Sequence, residues 1–472
     1  MTKVLSVASE CVPFIKTGGL ADVAGALPAA LAKHGVEMRT LLPGYPKVMA
    51  QISGEVVHSF ADLYGGAASL LFAETAMGGL YVLDAPHLYD RGGTIYLTEE
   101  GRDWDDNPER FAALCRAAAE ICAGVLDWRP DVAHGHDWQA GLVPYFLKTA
   151  GTAVPSVMTI HNIVFSGPAD AAKIGGLGLD PDDFHDTGYE FWGRISTLKA
   201  GLVYCDTITT VSPTYADELT RPEFGMGFDG LMTARRGDLV GILNGIDTDV
   251  WNPATDPAIH TYKMPRGKAK ARKALRAEFG LPASEGPLAV VVSRLTEQKG
   301  LDLLLDVIPG FLHQGGQLAL LGSGDRGLEQ AWQEAGALHE AMGVKIGYDE
   351  DLSHRMMAGG DAVLVPSRFE PCGLTQLYGL RYGALPVVAR VGGLADTVIH
   401  ANDAGLRAGA ATGIVHAPDD SEALYLALMR MLELHAKPQT WSRMVRNAMA
   451  HPVGWDVSAG AYATLYEGLL AA

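Results

Sequence analysis

The segment Lys16-Thr17-Gly18-Gly19-Leu20-Ala21-Asp22-Val23 follows an apolar run at 4–8. A strand, then a flexible loop carrying a cation, then a helix is an order that presents backbone amides to a phosphate. The opposite half of the chain holds two comparable segments, Ser367-Arg368-Phe369-Glu370-Pro371-Cys372-Gly373-Leu374-Thr375 and Val391-Gly392-Gly393-Leu394-Ala395-Asp396. Glycine-rich turns in both halves predict one anionic ligand held between two domains. Arg294-Leu295-Thr296-Glu297-Gln298-Lys299-Gly300 adds two cations after the apolar strand at 288–292. Beside a helix start, an Arg and a Lys suit a diphosphate, because charge-assisted hydrogen bonds are stronger than neutral ones. A solvated basic turn is the other reading of that segment.

The Glu370 segment follows a strand at 362–365 and opens a helix at 374–382, so the amides of Gly373, Leu374 and Thr375 are expected to face the ligand. Phosphate repels a carboxylate there, so Glu370 is expected to meet sugar hydroxyls or a developing positive charge. Capping of neighbouring amides is its structural alternative. In His134-Gly135-His136-Asp137-Trp138 two histidines lack a third anchor and make a poor zinc site. At the end of a strand at 131–133 these side chains are expected to point into the cleft, as are His161-Asn162 at the end of the strand at 156–160. Tyr348, after another strand, either stacks on a nucleobase or packs in the core.

Short apolar runs at 4–8, 37–42, 80–83, 131–133, 156–160 and 207–211 alternate with helical patterns such as 108–126 and 195–204. Strands nearly continuous in apolar content and separated by helices indicate a parallel sheet covered on both faces. Pro28 implies that the first helix kinks or restarts there. A second series, at 288–292, 317–321, 344–346, 362–365 and 386–388, follows the charged, strand-poor segment 253–283. The fold class is therefore α/β, two doubly wound Rossmann-like domains facing across a cleft, where such sheets bind ligands. The expected boundaries are 1–245 for the first domain, 246–454 for the second, and 455–472 for a helix crossing back to the first. The echo of Gly18-Gly19-Leu20-Ala21-Asp22 in Gly392-Gly393-Leu394-Ala395-Asp396 fits either duplication or parallel demand for tight turns.

At 472 residues the chain is too long for one core. Its net charge of −18 speaks against nucleic acid and anionic membranes as partners, though local cations can still hold an anionic small molecule. No basic-then-apolar leader and no membrane-length apolar run is visible, and a cytoplasmic location is expected. Cys11, Cys115, Cys122, Cys205 and Cys372 form no CxxC pair and read as reduced thiols; only Cys372 has a position that bears on function.

From Lys16 to Asp396 these segments together resemble the bacterial glycogen synthase and plant starch synthase family, retaining glucosyltransferases of the glycosyltransferase B fold. The Lys-Thr-Gly-Gly-Leu opening combined with Glu-Pro-Cys-Gly-Leu-Thr-Gln carries the resemblance. It implies transfer of glucose from ADP-glucose to the non-reducing end of an α-1,4-glucan such as glycogen. Its phosphate-binding pair falls on Arg294 and Lys299, and its N-terminal loop lysine on Lys16, with Gly18 and Gly19 letting that loop close. The resemblance puts Glu370 near the transferred glucose and Cys372, Gly373, Leu374 and Thr375 beneath sugar and phosphate. His161 and Asp137 line the glucosyl site, Asn244 lies near the same centre, and Tyr348 matches an aromatic near the adenine. Many retaining enzymes of this fold carry a second Glu where this chain has Tyr378, and the glucan synthase branch commonly has Tyr.

The resemblance further implies charge separation at the departing ADP, stabilised by Arg294, Lys299, Lys16 and the turn amides, with front-face attack and the backbone carbonyl of His161 near the anomeric centre. No DxD-like pair occupies a matching strand end, so neither a catalytic metal nor a cofactor is expected. A sugar-nucleotide epimerase, a pyridoxal-phosphate-dependent phosphorylase and a non-catalytic glucan-binding protein are the competing readings.

Overall fold

A computed structural model describes residues 1–471. The chain divides into two units: the first holds Met1–Val211, Ala216–Asn244 and the described residues from Trp455 onward, and the second holds Ser212–Tyr215 and Gly245–Gly454.

The first unit is built on a nine-stranded sheet. From one edge its strands are Leu239–Gly241, Thr207–Thr210, Ser156–Ile160, Val132–His136, Thr2–Val7, Val36–Pro43, Gly78–Asp84, Ala68–Thr75 and Glu55–Phe60. Seven run parallel, and the hairpin Glu55–Phe60 with Ala68–Thr75 adds an antiparallel edge, so the sheet is mixed rather than purely parallel. That edge escapes the sequence pattern because Glu55–Phe60 is largely exposed and carries no apolar run. The helix Gly19–Ala32 buries Leu20, Val23, Ala24, Leu27 and Leu31, a three- and four-residue spacing that makes one apolar stripe. It continues through Pro28 without restarting. The last described helix, Asp456–Ala471, packs Tyr462 and Tyr466 into the same core as Val23, Leu27 and Leu31.

The second unit carries a six-stranded, all-parallel sheet in the order Met342–Ile346, Gln317–Gly322, Leu288–Val292, Ala362–Val365, Leu385–Ala389, Ile414–His416. Its four central strands are almost entirely buried, as expected of a sheet covered by helices on both faces. Among the described residues no helix is long and apolar enough to cross a membrane.

Candidate active site

Each sheet has one place where the strand order reverses, and loops leaving the carboxyl ends of the two strands there line a crevice. In the first unit the reversal falls between Thr2–Val7 and Val132–His136, in the second between Leu288–Val292 and Ala362–Val365. The first pair of strands leads to the Lys16 loop and Asp137. The second pair leads to Arg294, Lys299 and the Glu370 turn.

In the first unit the Lys16 loop is already furnished with anions. Lys16 Nζ lies 2.8 Å from Asp22 Oδ1. The buried Glu10 accepts hydrogen bonds from Gly18 N at 3.1 Å and Thr17 Oγ1 at 2.7 Å, and from the backbone N–H of Thr17. Burial raises the Glu10 pKa, although these hydrogen bonds pull it down. The expectation of open loop amides is therefore corrected: those of Thr17 and Gly18 serve an internal carboxylate. Gly18 is extended, so its backbone there requires no glycine.

Asp137 sits at φ 55 and ψ −170, a conformation that non-glycine residues rarely hold without outside support. Its own N–H donates to Thr159 O at 2.9 Å. Asp137 Oδ1 accepts from His161 N at 2.7 Å and Asn162 N at 3.4 Å. The carboxylate thus fixes the backbone that follows the strand Ser156–Ile160. Burial pushes its pKa up to about 7, against the opposing pull of those two amides. His161 Nε2 lies 3.0 Å from His136 Nδ1. Burial drives His134 and His161 well below the ordinary histidine range and His136 down to about 3, so all three rings are neutral near pH 7. Asn162 Oδ1 accepts from Val164 N at 3.2 Å, turning the chain after His161.

His134 and His136 do not follow the strand, as expected, but belong to it, His136 being its last residue. Both rings are fully buried on one strand face; His134 Nδ1 is 2.7 Å from Tyr466 Oη and its Nε2 is 2.5 Å from Thr159 Oγ1. Packing under the C-terminal helix, not a cleft, accounts for His134. Asn244, the last residue of the first unit's segment Ala216–Asn244, is buried and its Oδ1 has no partner among the described residues.

In the second unit, Lys299 closes the single turn Glu297–Lys299 and forms an ion pair with Glu370, both side chains being less than a fifth exposed. Ser367 Oγ donates to the same Glu370 oxygen at 3.1 Å. Glu370 therefore receives a lysine and a hydroxyl and caps no amide among the described residues. Gly300 follows at φ 64, and a side chain there would collide with Pro366 O, so this turn requires glycine. Arg294 is exposed, and its side chain has no partner among the described residues. Gly373 at φ 72 turns the chain into the helix Thr375–Tyr382. The first amides of that helix have no intrahelical acceptor. A cavity of about 50 Å³ is lined by Ser293, Lys299, Glu370, Gly373, Leu374 and Thr375.

Gly392 and Gly393 have a different use from the one expected. A Cβ on Gly392 would stand 2.0 Å from Glu370 O, and one on Gly393 2.3 Å from Cys372 O. Gly393 N donates to Pro371 O at 3.1 Å. The pair gives the Glu370–Cys372 backbone room to pack and offers no open phosphate cradle. Cys372 is buried in that packing, and all five cysteines are buried, with no disulfide among the described residues. Tyr348 is 75% exposed, which removes the core-packing alternative; its hydroxyl donates to the Glu350 carboxylate. Tyr378 stacks on Trp251 with ring centroids 3.7 Å apart, and Trp251 stacks on His354 at 3.9 Å. An aromatic stack thus stands at the position where the resemblance led to a comparison with a second Glu.

Glu10 and Ser367 escaped the sequence reading. A lone acid between Ser9 and Cys11, directly after an apolar strand, was the available signal for Glu10.

Residues 3–234 match the family model described as the starch synthase catalytic domain, and residues 273–448 match glycosyl transferases group 1. The chain is 60% identical over 474 residues to a glycogen synthase of Paracoccus denitrificans, with 100% of both chains covered. A glycogen synthase of Jannaschia sp. is 58% identical over 468 residues, covering 99% of each. Among solved structures, the catalytic domain of starch synthase IV from Arabidopsis thaliana, bound to ADP and acarbose, superposes with a TM-score of 0.89 at 30% identity and full coverage of both chains. Sucrose-phosphate synthase from Thermosynechococcus elongatus, at 19% identity and a TM-score of 0.62 over the whole of both chains, shares the fold. The chain belongs to the glycogen synthase and starch synthase family of glucosyltransferases, with the two-domain glycosyltransferase B fold.

Proposed function

We propose that the chain transfers glucose from ADP-glucose to the non-reducing end of an α-1,4-glucan with retention of configuration, releasing ADP. The observation that carries the assignment of roles is the buried Lys299–Glu370 pair beside the Gly373 turn, at the reversal point of the second sheet. One cation and one carboxylate, held together under a helix start, match a donor with an anionic diphosphate and a sugar that becomes positive.

In this reading Arg294, Lys299 and the amides of Gly373, Leu374 and Thr375 stabilise charge growing on the diphosphate as the bond from the anomeric carbon to oxygen breaks. Lys16 exchanges Asp22 for the distal phosphate. Glu370, released from Lys299, faces the glucosyl group. The acceptor's 4-hydroxyl attacks from the face the nucleotide leaves, and its proton passes to the departing phosphate oxygen. His161 contributes through its backbone carbonyl; the bonds from His161 N and Asn162 N to Asp137 support a fixed position for it, and the lowered His161 pKa disfavours a protonated ring. Asn244 and Asn162 complete the sugar subsite, and the exposed Tyr348 ring offers a face to adenine. Fixed cations and amides take the role of a metal, so no metal or other cofactor is assigned. Five buried cysteines, none of them in a disulfide among the described residues, support a reducing, cytoplasmic setting.

The test is to give the purified protein glycogen with labelled ADP-glucose or UDP-glucose in EDTA and to count label in polymer. Incorporation from ADP-glucose is expected. Label only from UDP-glucose would overturn the adenine assignment; turnover of sugar nucleotide without a glucan would favour an epimerase.

A further inference from the structure

We propose that Gln376 is a positioning residue for glucosyl transfer, holding the Cys372–Gly373 turn with its carbonyls turned back and its amides presented. Gln376 is fully buried at the second position of the helix Thr375–Tyr382 and lines the same cavity as Lys299 and Glu370. Its side-chain Nε2 donates to Cys372 O at 3.0 Å and Gly373 O at 2.9 Å, and lies 3.3 Å from Thr397 Oγ1. Thr397 Oγ1 in turn donates to Gly393 O at 2.6 Å. One carboxamide therefore holds both carbonyls of the catalytic turn, packed beside the Thr397 hydroxyl that binds Gly393.

A peptide unit has two poles. Drawing the Cys372 and Gly373 carbonyls toward Gln376 turns the N–H groups of Gly373 and Leu374 the other way. Gly373 at φ 72 permits this orientation, and a side chain there would strike Gln376 Oε1 at 2.5 Å. Gln376 Oε1 itself is buried without a hydrogen-bond partner among the described residues, which is a costly state for a carbonyl unless a ligand or water supplies a donor. Placed in the cavity wall, it is a fixed acceptor beside the turn. Only the carboxamide has two donors for the carbonyls and an acceptor left over.

The inference rests on the reading of the chain as a glucosyltransferase that uses this turn, so the unaltered protein is assayed alongside; its failure to label glucan would defeat that reading and leave the geometry of Gln376 unaffected. In Gln376→Met the volume stays and both donors go. With the active fraction fixed by stoichiometric ADP titration, kcat should fall roughly tenfold to a hundredfold, and the KM for ADP-glucose should rise severalfold. A kcat and KM per active site within about twofold of the parent would overturn the proposal. Gln376→Glu provides a second test should the Met variant not fold. An ionised carboxylate repels both carbonyls, whereas the protonated form regains one donor, so its rate relative to the parent should rise severalfold between about pH 8 and about pH 6. A ratio flat with pH would contradict the role, because a merely structural loss carries no such dependence.

Discussion

The two units solve one topological problem with opposite materials. Both expose a crevice where the strand order reverses, and both send a glycine-rich turn and a lysine to it. In the first unit the lysine is 43% exposed and pairs with a carboxylate one turn into the next helix, while the loop amides bind a separate buried acid, Glu10. In the second unit the lysine and the acid pair with each other in a buried pocket, braced by Ser367. Breaking an exposed pair costs little, while separating a buried pair leaves charges that need new partners. The first unit thus provides an adaptable loop and a set of fixed neutral histidines, and the second a prearranged charge pair, which the proposed mechanism has the donor divide between its phosphate and its glucose.

That contrast can be broken most severely at Glu370. Replacing it with Ala should lower kcat by about a thousandfold, on the scale of removing a preorganised electrostatic group, with ordinary thermal unfolding; turnover within tenfold of the parent would remove it from the chemistry. Next in size, Lys299→Ala should fold and lose about a hundredfold in rate, about 3 kcal/mol of transition-state stabilisation. Near-normal initial rates would place the phosphate elsewhere. In the first unit the effects should be smaller. Glu10→Ala frees the amides of Thr17 and Gly18 and should cost about tenfold in kcat/KM for ADP-glucose, with Glu10→Gln recovering most of it because the carboxamide oxygen still accepts. Equal defects in the two variants would mean that charge, not loop anchoring, is what Glu10 supplies.

The smallest effect is on stability. The pKa of Asp137, about 7 in the fold, lies above its value in an unfolded chain. A carboxyl with a raised folded pKa contributes stability that is fully present below the unfolded value and is lost as pH rises through the folded one. Asp137→Asn has no proton to lose, so its melting temperature relative to the parent should climb by a few degrees between about pH 4 and about pH 8. An offset constant with pH would show that burial does not hold this carboxyl neutral.

Much of this site was legible because its chemistry is encoded locally. Strand, cation, glycine and acid follow one another within short stretches such as Arg294–Gly300 and Ser367–Thr375, and the second sheet's apolar runs announce its strands. What escaped depends on how the chain packs against itself. That Glu10 fills the amides of Thr17 and Gly18 requires the chain to fold back on itself, and that Lys299 meets Glu370 joins positions 71 residues apart. The glycines at 392 and 393 have the same composition as those at 18 and 19, yet their role is steric, set by the Glu370 and Cys372 carbonyls against them. His134 and His136 looked like residues beyond the strand because histidine breaks an apolar run; the backbone pairing runs on through His136. The edge hairpin Glu55–Phe60 was invisible because half of a solvent-facing strand is polar by necessity.

The claim that the second unit stores its phosphate cation against its catalytic acid is tested most directly by the ADP affinity of Glu370→Ala, measured by calorimetry against the parent. With its internal partner gone, Lys299 is available to the diphosphate, so ADP should bind as tightly as to the parent or more tightly. Loss of ADP binding in that variant, with the fold intact, would contradict the account: Glu370 would then belong to the nucleotide site, and the pair would not be the one the donor divides.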